Sequence, residues 1–89
     1  MKIKLELFGA SRDFSNKDHL EIEVQDKATI DDLRNEIIKY LDKNFQGNES
    51  FVKVVKSSAF CSENNEIISD NYKITKDQKI GIIPPIGGG

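Results

Sequence analysis

The sequence predicts a single α+β domain, with one sheet, one covering helix and elements in the order ββαββ. Three observations support this prediction. Two segments near the N-terminus alternate apolar and charged residues, the next repeats apolar residues at helical spacing, and the second half is again rich in strand-forming residues. At 89 residues the chain has room for one domain. We divide it into a folded domain, residues 1–83, and a C-terminal tail, residues 84–89.

Two strands are predicted at the start of the chain. The first covers residues 2–8, and its apolar face consists of Ile3, Leu5 and Leu7. The second covers residues 20–24, and its apolar face consists of Leu20, Ile22 and Val24. Because a period of two places alternate side chains on opposite faces, we expect both strands to be half-buried. Turn-forming residues at 9–16 separate them, so we expect an antiparallel pair.

A helix of about fifteen residues is predicted after the second strand. Thr29 is its expected N-cap, Asp32 completes a capping box, and Asp31 adds negative charge to the first turn, where the helix dipole favours it. Gly47-Asn48 ends it. The apolar stripe that faces the sheet consists of Ile30, Leu33, Ile37, Ile38 and Leu41.

Residues 52–68 predict a strand followed by a hairpin. The segment 52–61 is rich in β-branched and aromatic side chains, which favour strands. Residues 62–68 then predict a tight hairpin, because Asn64 and Asn65 tolerate the left-handed backbone that a two-residue turn requires.

The last predicted strand covers residues 79–83, after a connection that Ile74 is expected to anchor. Its apolar side chains point to both faces, which is typical of a strand in the interior of a sheet. These side chains are Ile80, Ile82 and Ile83.

Composition excludes several classes of protein. With 37% hydrophobic and 31% charged residues and a net charge of -2, the chain is expected to fold rather than remain disordered. No apolar stretch approaches the roughly 20 residues of a membrane span, and the N-terminus lacks the apolar core of a signal peptide, so we expect a cytoplasmic protein with no membrane partner. With one cysteine and an isoelectric point near 5.3, neither a disulfide framework, a cysteine zinc site nor a nucleic-acid partner is expected.

Three further candidates receive ordinary structural interpretations. His19 stands beside Asp18 without a matched nucleophile or second ligand, so it is interpreted as a surface residue. Cys61 is interpreted as a small hydrophobic side chain of a strand. Asp31 and Asp32 are explained by the helix dipole, so we expect no metal site.

The final six residues, PPIGGG at 84–89, form the most unusual segment of the sequence. The two prolines favour an extended, stiff backbone, and the glycines then make a thin peptide that ends in a carboxylate. Such a tip can enter a channel too narrow for any Cβ atom. The alternative is an inert, frayed terminus.

The chain resembles the small, sulfur-carrier subunit of molybdopterin synthase, in the MoaD/ThiS-type ubiquitin-like family. The resemblance covers essentially the whole chain and rests on ATIDDL at 28–33, ITKDQKI at 74–80 and IIPPIGGG at 82–89, with Phe8 and Arg12 after the first strand. A Gly-Gly terminus is shared by all ubiquitin-like carriers, whereas Pro-Pro-apolar-x-Gly-Gly is more specific to the molybdopterin branch. The resemblance implies a β-grasp fold.

The resemblance also implies a reaction at the C-terminus. An E1-like enzyme would use ATP to adenylate the carboxylate of Gly89, which is then converted to a thiocarboxylate. The large synthase subunit, which holds the catalytic residues, would use that sulfur to form the dithiolene of molybdopterin in a heterotetramer. Gly88 and Gly87 would give access, although other small residues are common in the family at position 87. No cofactor is expected on this chain, since ATP is bound by the activating enzyme.

Partner contacts are predicted around the tail. Phe8 and Ile83 end two strands that lie side by side in a β-grasp sheet, and with Ile67 they are expected to contact the large subunit; the alternative is that all three belong to the core. The expected interface continues into the tail through Pro84, Pro85 and Ile86. Two other functions stay open: a ubiquitin-like carrier or protein modifier of another pathway, and a plain interaction domain with an inert tail.

Overall fold

The computed structural model describes residues 1–85, which fold into a five-stranded sheet, a two-stranded sheet and two helices. A 3-10 helix, Gly9–Phe14, follows the first strand. The strands are β1 (Lys2–Leu7), β2 (His19–Glu23), β3 (Ala28–Thr29), β4 (Ala59–Cys61), β5 (Ile67–Ile68), β6 (Lys73–Ile74) and β7 (Gln78–Ile83). The helices are α1 (Ile30–Phe45) and α2 (Glu49–Ser57). This architecture confirms the predicted α+β class.

The main sheet has the strand order β2-β1-β7-β4-β5. Strands β1 and β2 are antiparallel, as predicted, whereas β1 and β7 are parallel and place Leu7 opposite Ile82. Strand β7 also pairs antiparallel with β4, so the last strand of the chain occupies the centre of the sheet. Its position agrees with the apolar side chains predicted on both of its faces.

The core lies between the sheet and helix α1. The four helix side chains at its centre are Ile30, Leu33, Ile37 and Leu41, all fully buried, and they pack in one cluster with the inward side chains of the central strands, Ile3, Leu5, Ile80 and Ile82. The predicted capping box is confirmed, because the Thr29 hydroxyl accepts from the Asp32 N–H at 3.1 Å and the Asp32 carboxylate accepts from the Thr29 N–H at 2.9 Å. Gln46 and Gly47, both with positive φ, end α1.

The predicted strand over residues 52–61 is wrong for most of its length. Residues 49–57 form α2, and only Ala59–Cys61 is a strand. The Asn48 side chain begins the helix by accepting from the N–H groups of Ser50 and Phe51, at 3.0 and 3.3 Å. Phe51 and Val55, four residues apart, then face the core. Burial at helical spacing overrides the strand preference of three valines. The domain therefore has two helices instead of one.

An aromatic cluster joins α2 to the rest of the domain. Phe51 lies 5.1 Å, between ring centroids, from Phe14 of the 3-10 helix and from Phe45 at the end of α1. The Tyr40 ring is 6.3 Å from Phe45, and its hydroxyl donates to the Phe14 carbonyl at 2.9 Å. These contacts fix the 3-10 helix and α2 beside the end of the sheet from which the tail leaves.

Two shorter elements differ in detail from the predictions. The hairpin of β4 and β5 is present, but its loop contains three residues: Ser62 N–H donates to the Glu66 carbonyl at 2.8 Å, and Asn65 takes the left-handed conformation with φ of 62°. Ile74 is fully buried, and β6 pairs with β3. Neither helix in residues 1–85 is long and apolar enough to cross a membrane.

We predict that Asn48→Ala lowers the free energy of unfolding by about 1 kcal/mol, because two N–H groups of α2 lose their acceptor. Urea unfolding followed by circular dichroism measures the change. Asn16→Ala is the matched control: Asn16 is exposed in a loop, and its change is expected to stay within about 0.5 kcal/mol. Equal effects of the two variants would contradict the capping role.

Candidate functional site: the tail base and the outer face of the sheet

The tail leaves the domain from the centre of the sheet. Strand β7 ends at Ile83, and the next residue, Pro84, is buried. The Pro84 ring packs over Gly9, where an added Cβ atom would stand 3.9 Å from two ring carbons; Gly9 itself has a φ of +55°, which suits glycine. Pro85 is exposed, so Pro84 anchors the tail and Pro85 begins its projection. The remaining predicted tail residues lie outside the described part of the chain: Ile86, Gly87, Gly88 and Gly89.

The outer face of the sheet, opposite the helices, bears an apolar surface beside the tail base. Ile80 and Ile82 point into the core, so Gly81 and Ile83 face outward. Ile83 stands opposite Ala59, and Gly81 opposite Cys61, which in turn pairs with Ile67. We call this surface the outer-face patch; it consists of Phe8, Ala59, Cys61, Ile67, Gly81 and Ile83.

Gly81 allows the Phe8 ring to approach strand β7 closely. A Cβ atom on Gly81 would come within 2.9 Å of the Phe8 ring and 2.7 Å of the Cys61 sulfur, closer than real Cβ contacts. The absent side chain therefore makes room for both groups. Sequence reasoning did not select Gly81, although a glycine inside an apolar strand is a known sign of close approach. Cys61 is buried in this packing, which agrees with its interpretation as a small hydrophobic side chain.

The three residues predicted as a partner interface share this patch. Ile67 is 68% exposed, which excludes the core alternative for that residue. Phe8 and Ile83 are half-buried, with their remaining surface on the same face. A contiguous exposed apolar surface is typical of a docking site.

Charged groups border the patch on the β1 side. The Lys79 ammonium lies 3.6 Å from the Glu6 carboxylate, and both side chains are partly exposed. The Lys79 backbone N–H donates to the Glu63 carboxylate at 2.9 Å, in a stretch of β7 that extends beyond its pairing with β4. The result is an apolar centre with a polar border, the usual pattern of protein interfaces.

The other candidates keep ordinary roles. His19 Nδ1 lies 3.0 Å from Asp18, and this hydrogen bond is the main reason that the pKa of the Asp18 carboxyl is below its usual value. Asp31 pairs with Arg34 at 3.2 Å, and Asp32 belongs to the capping box. In residues 1–85, no three His, Cys, Asp or Glu side chains cluster in a way that could hold a metal ion.

Solved structures with the same fold are small ubiquitin-like proteins. A candidate molybdopterin converting factor, subunit 1, from Pyrococcus furiosus is 23% identical, with a TM-score of 0.69 over 96% of this chain and 98% of that one. Small archaeal modifier protein 1 of H. volcanii is 13% identical, with a TM-score of 0.66 over 96% and 98%. A ubiquitin of Caldiarchaeum subterraneum is 19% identical, with a TM-score of 0.60 over 100% and 98%. These likenesses confirm the β-grasp fold.

A search of curated protein sequences gave no significant match. The family model described as the ThiS family, however, matches residues 5–89, which is nearly the whole chain and includes its C-terminus. The chain therefore belongs to the ThiS family of ubiquitin-like sulfur carriers.

Proposed function

We propose that this protein is the sulfur-carrier subunit of a molybdopterin synthase and that Gly89 carries the sulfur. The observation that supports this function most directly is the family match, which runs through the Gly-Gly terminus. Within the family, the Pro-Pro-Ile-Gly-Gly-Gly ending favours the molybdopterin branch, as the sequence resemblance indicated. The fold supports the proposal to this extent: Pro84 directly follows the central strand, and Pro85 is exposed.

The proposed chemistry takes place at the terminal carboxylate. A carboxylate oxygen is a poor leaving group, so an activating enzyme first joins the carboxylate of Gly89 to the α-phosphate of ATP, with release of pyrophosphate. A donor persulfide then attacks the acyl carbon and displaces AMP, and a second thiol cleaves the resulting acyl disulfide, which leaves the thiocarboxylate on Gly89 and a disulfide on the donor side. When the sulfur is transferred to the pterin precursor, water supplies the oxygen that restores the carboxylate.

The outer-face patch is the proposed docking surface for the large subunit. The patch adjoins the tail base, so one partner can cover Phe8, Ile67 and Ile83 while it receives the tail. In a domain of 89 residues, most side chains are needed to build the core. The groups that orient the precursor would then belong to the larger partner, and the present chain supplies sulfur and binding energy.

A carrier for another sulfur pathway, or a protein modifier, is the second candidate function. It is favoured by the shared fold with an archaeal modifier protein. All of these functions use carboxylate activation and differ in the acceptor, which is a pterin precursor in one case and a lysine amine in another. Formation of an isopeptide bond to other proteins, without sulfur transfer to the precursor, would identify the modifier.

Sulfur carriage predicts a specific mass change. A fraction of the protein isolated from its own cells should be about 16 Da heavier than the sequence, because sulfur replaces one carboxylate oxygen. Intact-mass spectrometry measures this difference, and fragmentation should place it on Gly89. Oxidation of Met1 or Cys61 gives nearly the same nominal mass, so treatment with iodoacetamide and the fragment position serve as controls. Protein that stays unmodified even with ATP, the cognate activating enzyme and a sulfur donor contradicts the proposal.

Docking through the patch predicts a loss of affinity when Ile67 becomes charged. Ile67→Asp should weaken binding to the large subunit at least roughly 100-fold, since burial of an unpaired carboxylate costs several kcal/mol. At 68% exposure, Ile67 can be changed with little effect on folding. Isothermal titration calorimetry measures the affinity. Tyr72→Asp is the matched control, because Tyr72 is the other exposed large hydrophobic residue of the described chain and lies off the patch. Similar affinities of both variants would argue against this surface.

Changes in the tail are expected to abolish activity while thermal stability stays unchanged. Deletion of Gly89 moves the carboxylate back by about 3.5 Å, whereas reaction geometry tolerates errors of only about 1 Å. Gly88→Val adds a branched side chain where the channel is expected to admit none. Both variants should melt like the parent protein but lose molybdopterin formation with the thiocarboxylated tail and purified large subunit. Gly87→Ala is the control that should retain activity. Normal turnover by the truncated protein would refute the role of Gly89.

A further inference from the structure

Strand β2 forms one edge of the main sheet and, in the described part of the chain, pairs only with β1. Met1 and Val24 exchange two backbone hydrogen bonds, of 2.8 and 2.9 Å, and therefore form a bonded pair. Bonded and non-bonded pairs alternate along an antiparallel ladder. The N–H and C=O groups of His19, Glu21 and Glu23 therefore point away from β1, toward the open edge.

A groove runs along this edge, between β2 and the C-terminal half of α1. One part, of about 630 Å³, is lined by residues that include Leu20, Tyr40 and Phe45. A second part, of about 390 Å³, includes Ile22. Glu21 and Tyr40 line both parts, so the two parts are adjacent along the strand. A peptide in the extended conformation could pair with the edge and place alternate side chains in the groove.

The charged side chains beside β2 differ between the outer face of the sheet and the face toward α1. On the outer side, Glu21 and Glu23 are exposed and adjacent along the edge; they face Lys4 and Lys2 of β1 on one flank and the open edge on the other. On the helix side, the groove is bordered by Lys43, by Lys39 in an ion pair with Glu36 at 3.2 Å, and by the partly buried Tyr40 ring. An added strand would therefore be favoured if its outward residues were basic and its helix-facing residues apolar and uncharged.

Pairing with a second copy of this chain is unfavourable in the register centred on Glu21. If two β2 strands paired antiparallel about Glu21, the two Glu21 carboxylates would face each other, and like charges directly opposite are destabilising. Charged residues on an edge strand commonly prevent such self-pairing. The same glutamates would attract a strand of the opposite charge.

We infer that β2 and its groove are a docking site for an extended segment of another protein, in which basic and apolar residues alternate. The segment would add a sixth strand to the sheet through the backbone of His19, Glu21 and Glu23. This site differs from the outer-face patch in strand and face: most of the patch lies on the outer face of β7, β4 and β5, whereas the groove lies on the helix side of β2. The inference therefore does not depend on the proposed sulfur chemistry.

The test uses the full-length protein and a synthetic heptapeptide that alternates lysine and valine and is blocked at both ends. Amide hydrogen exchange, followed residue by residue by NMR, should slow at least roughly tenfold at Glu21 and Glu23 when the peptide is saturating. A peptide with the same composition but clustered lysines should bind at least roughly tenfold more weakly, and so should the alternating peptide N-methylated at its edge-facing residues.

Two charge-reversal variants test whether the peptide is bound by residues at the β2 edge or attracted only by the net charge of the protein. Glu21→Lys should weaken peptide binding at least roughly tenfold. Glu66→Lys changes the net charge equally but lies on the distant hairpin, and it should bind nearly like the parent. Equal losses in both variants, undiminished binding of the N-methylated peptide, or no slowing of exchange at Glu21 and Glu23 would overturn the inference. Dimerisation of the protein alone through β2 would also overturn it.

Discussion

The structure depends on the pairing of its last strand with its first. Strand β7 enters the middle of the sheet, parallel to β1 and antiparallel to β4, and its alternate residues face different environments. Ile80 and Ile82 complete the core, whereas Gly81 and Ile83 form part of the outer-face patch. Because the same strand ends at Ile83, the place where the tail begins is determined by the most buried part of the fold. A shift of one residue in register would exchange the two sets and lose both the core and the patch.

The elements around β7 hold it in place and support the start of the tail. On the inner face, α1 supplies the apolar stripe, and its capping box fixes where that stripe begins. The aromatic cluster around Phe51 holds α2 and the 3-10 helix together, and Gly9 in the 3-10 helix provides the surface on which Pro84 packs. The tail is thus supported near its origin by elements whose own packing lies in the core.

Periodicity and caps predicted the long elements because one physical preference dominates each of them. In β1, β2 and α1, the spacing of buried side chains and the local signals agree, and Thr29 begins the helix where expected. In residues 52–61 they disagree: the valines favour a strand, but Asn48 caps a helix and burial follows helical spacing. The patch was predicted in part, through Phe8, Ile67 and Ile83. The role of Gly81 could not be read from spacing alone, since it depends on a cross-strand neighbour, Cys61, and on a ring that comes from a different segment.

The two edges of the sheet carry different side chains and therefore suit different kinds of partner. At the β5 edge, Ile67 leaves an apolar side chain in solvent beside Cys61. At the β2 edge, the outward side chains are His19, Glu21 and Glu23, so charge dominates there. An apolar surface gains most from a preformed partner that excludes water, whereas an edge with exposed backbone and charge gains from an extended segment that supplies hydrogen bonds and opposite charge. The groove at β2 and the apolar surface at β5 lie at opposite edges of the sheet. On the two proposals above, the domain would present its tail to one protein while a second binds the β2 edge.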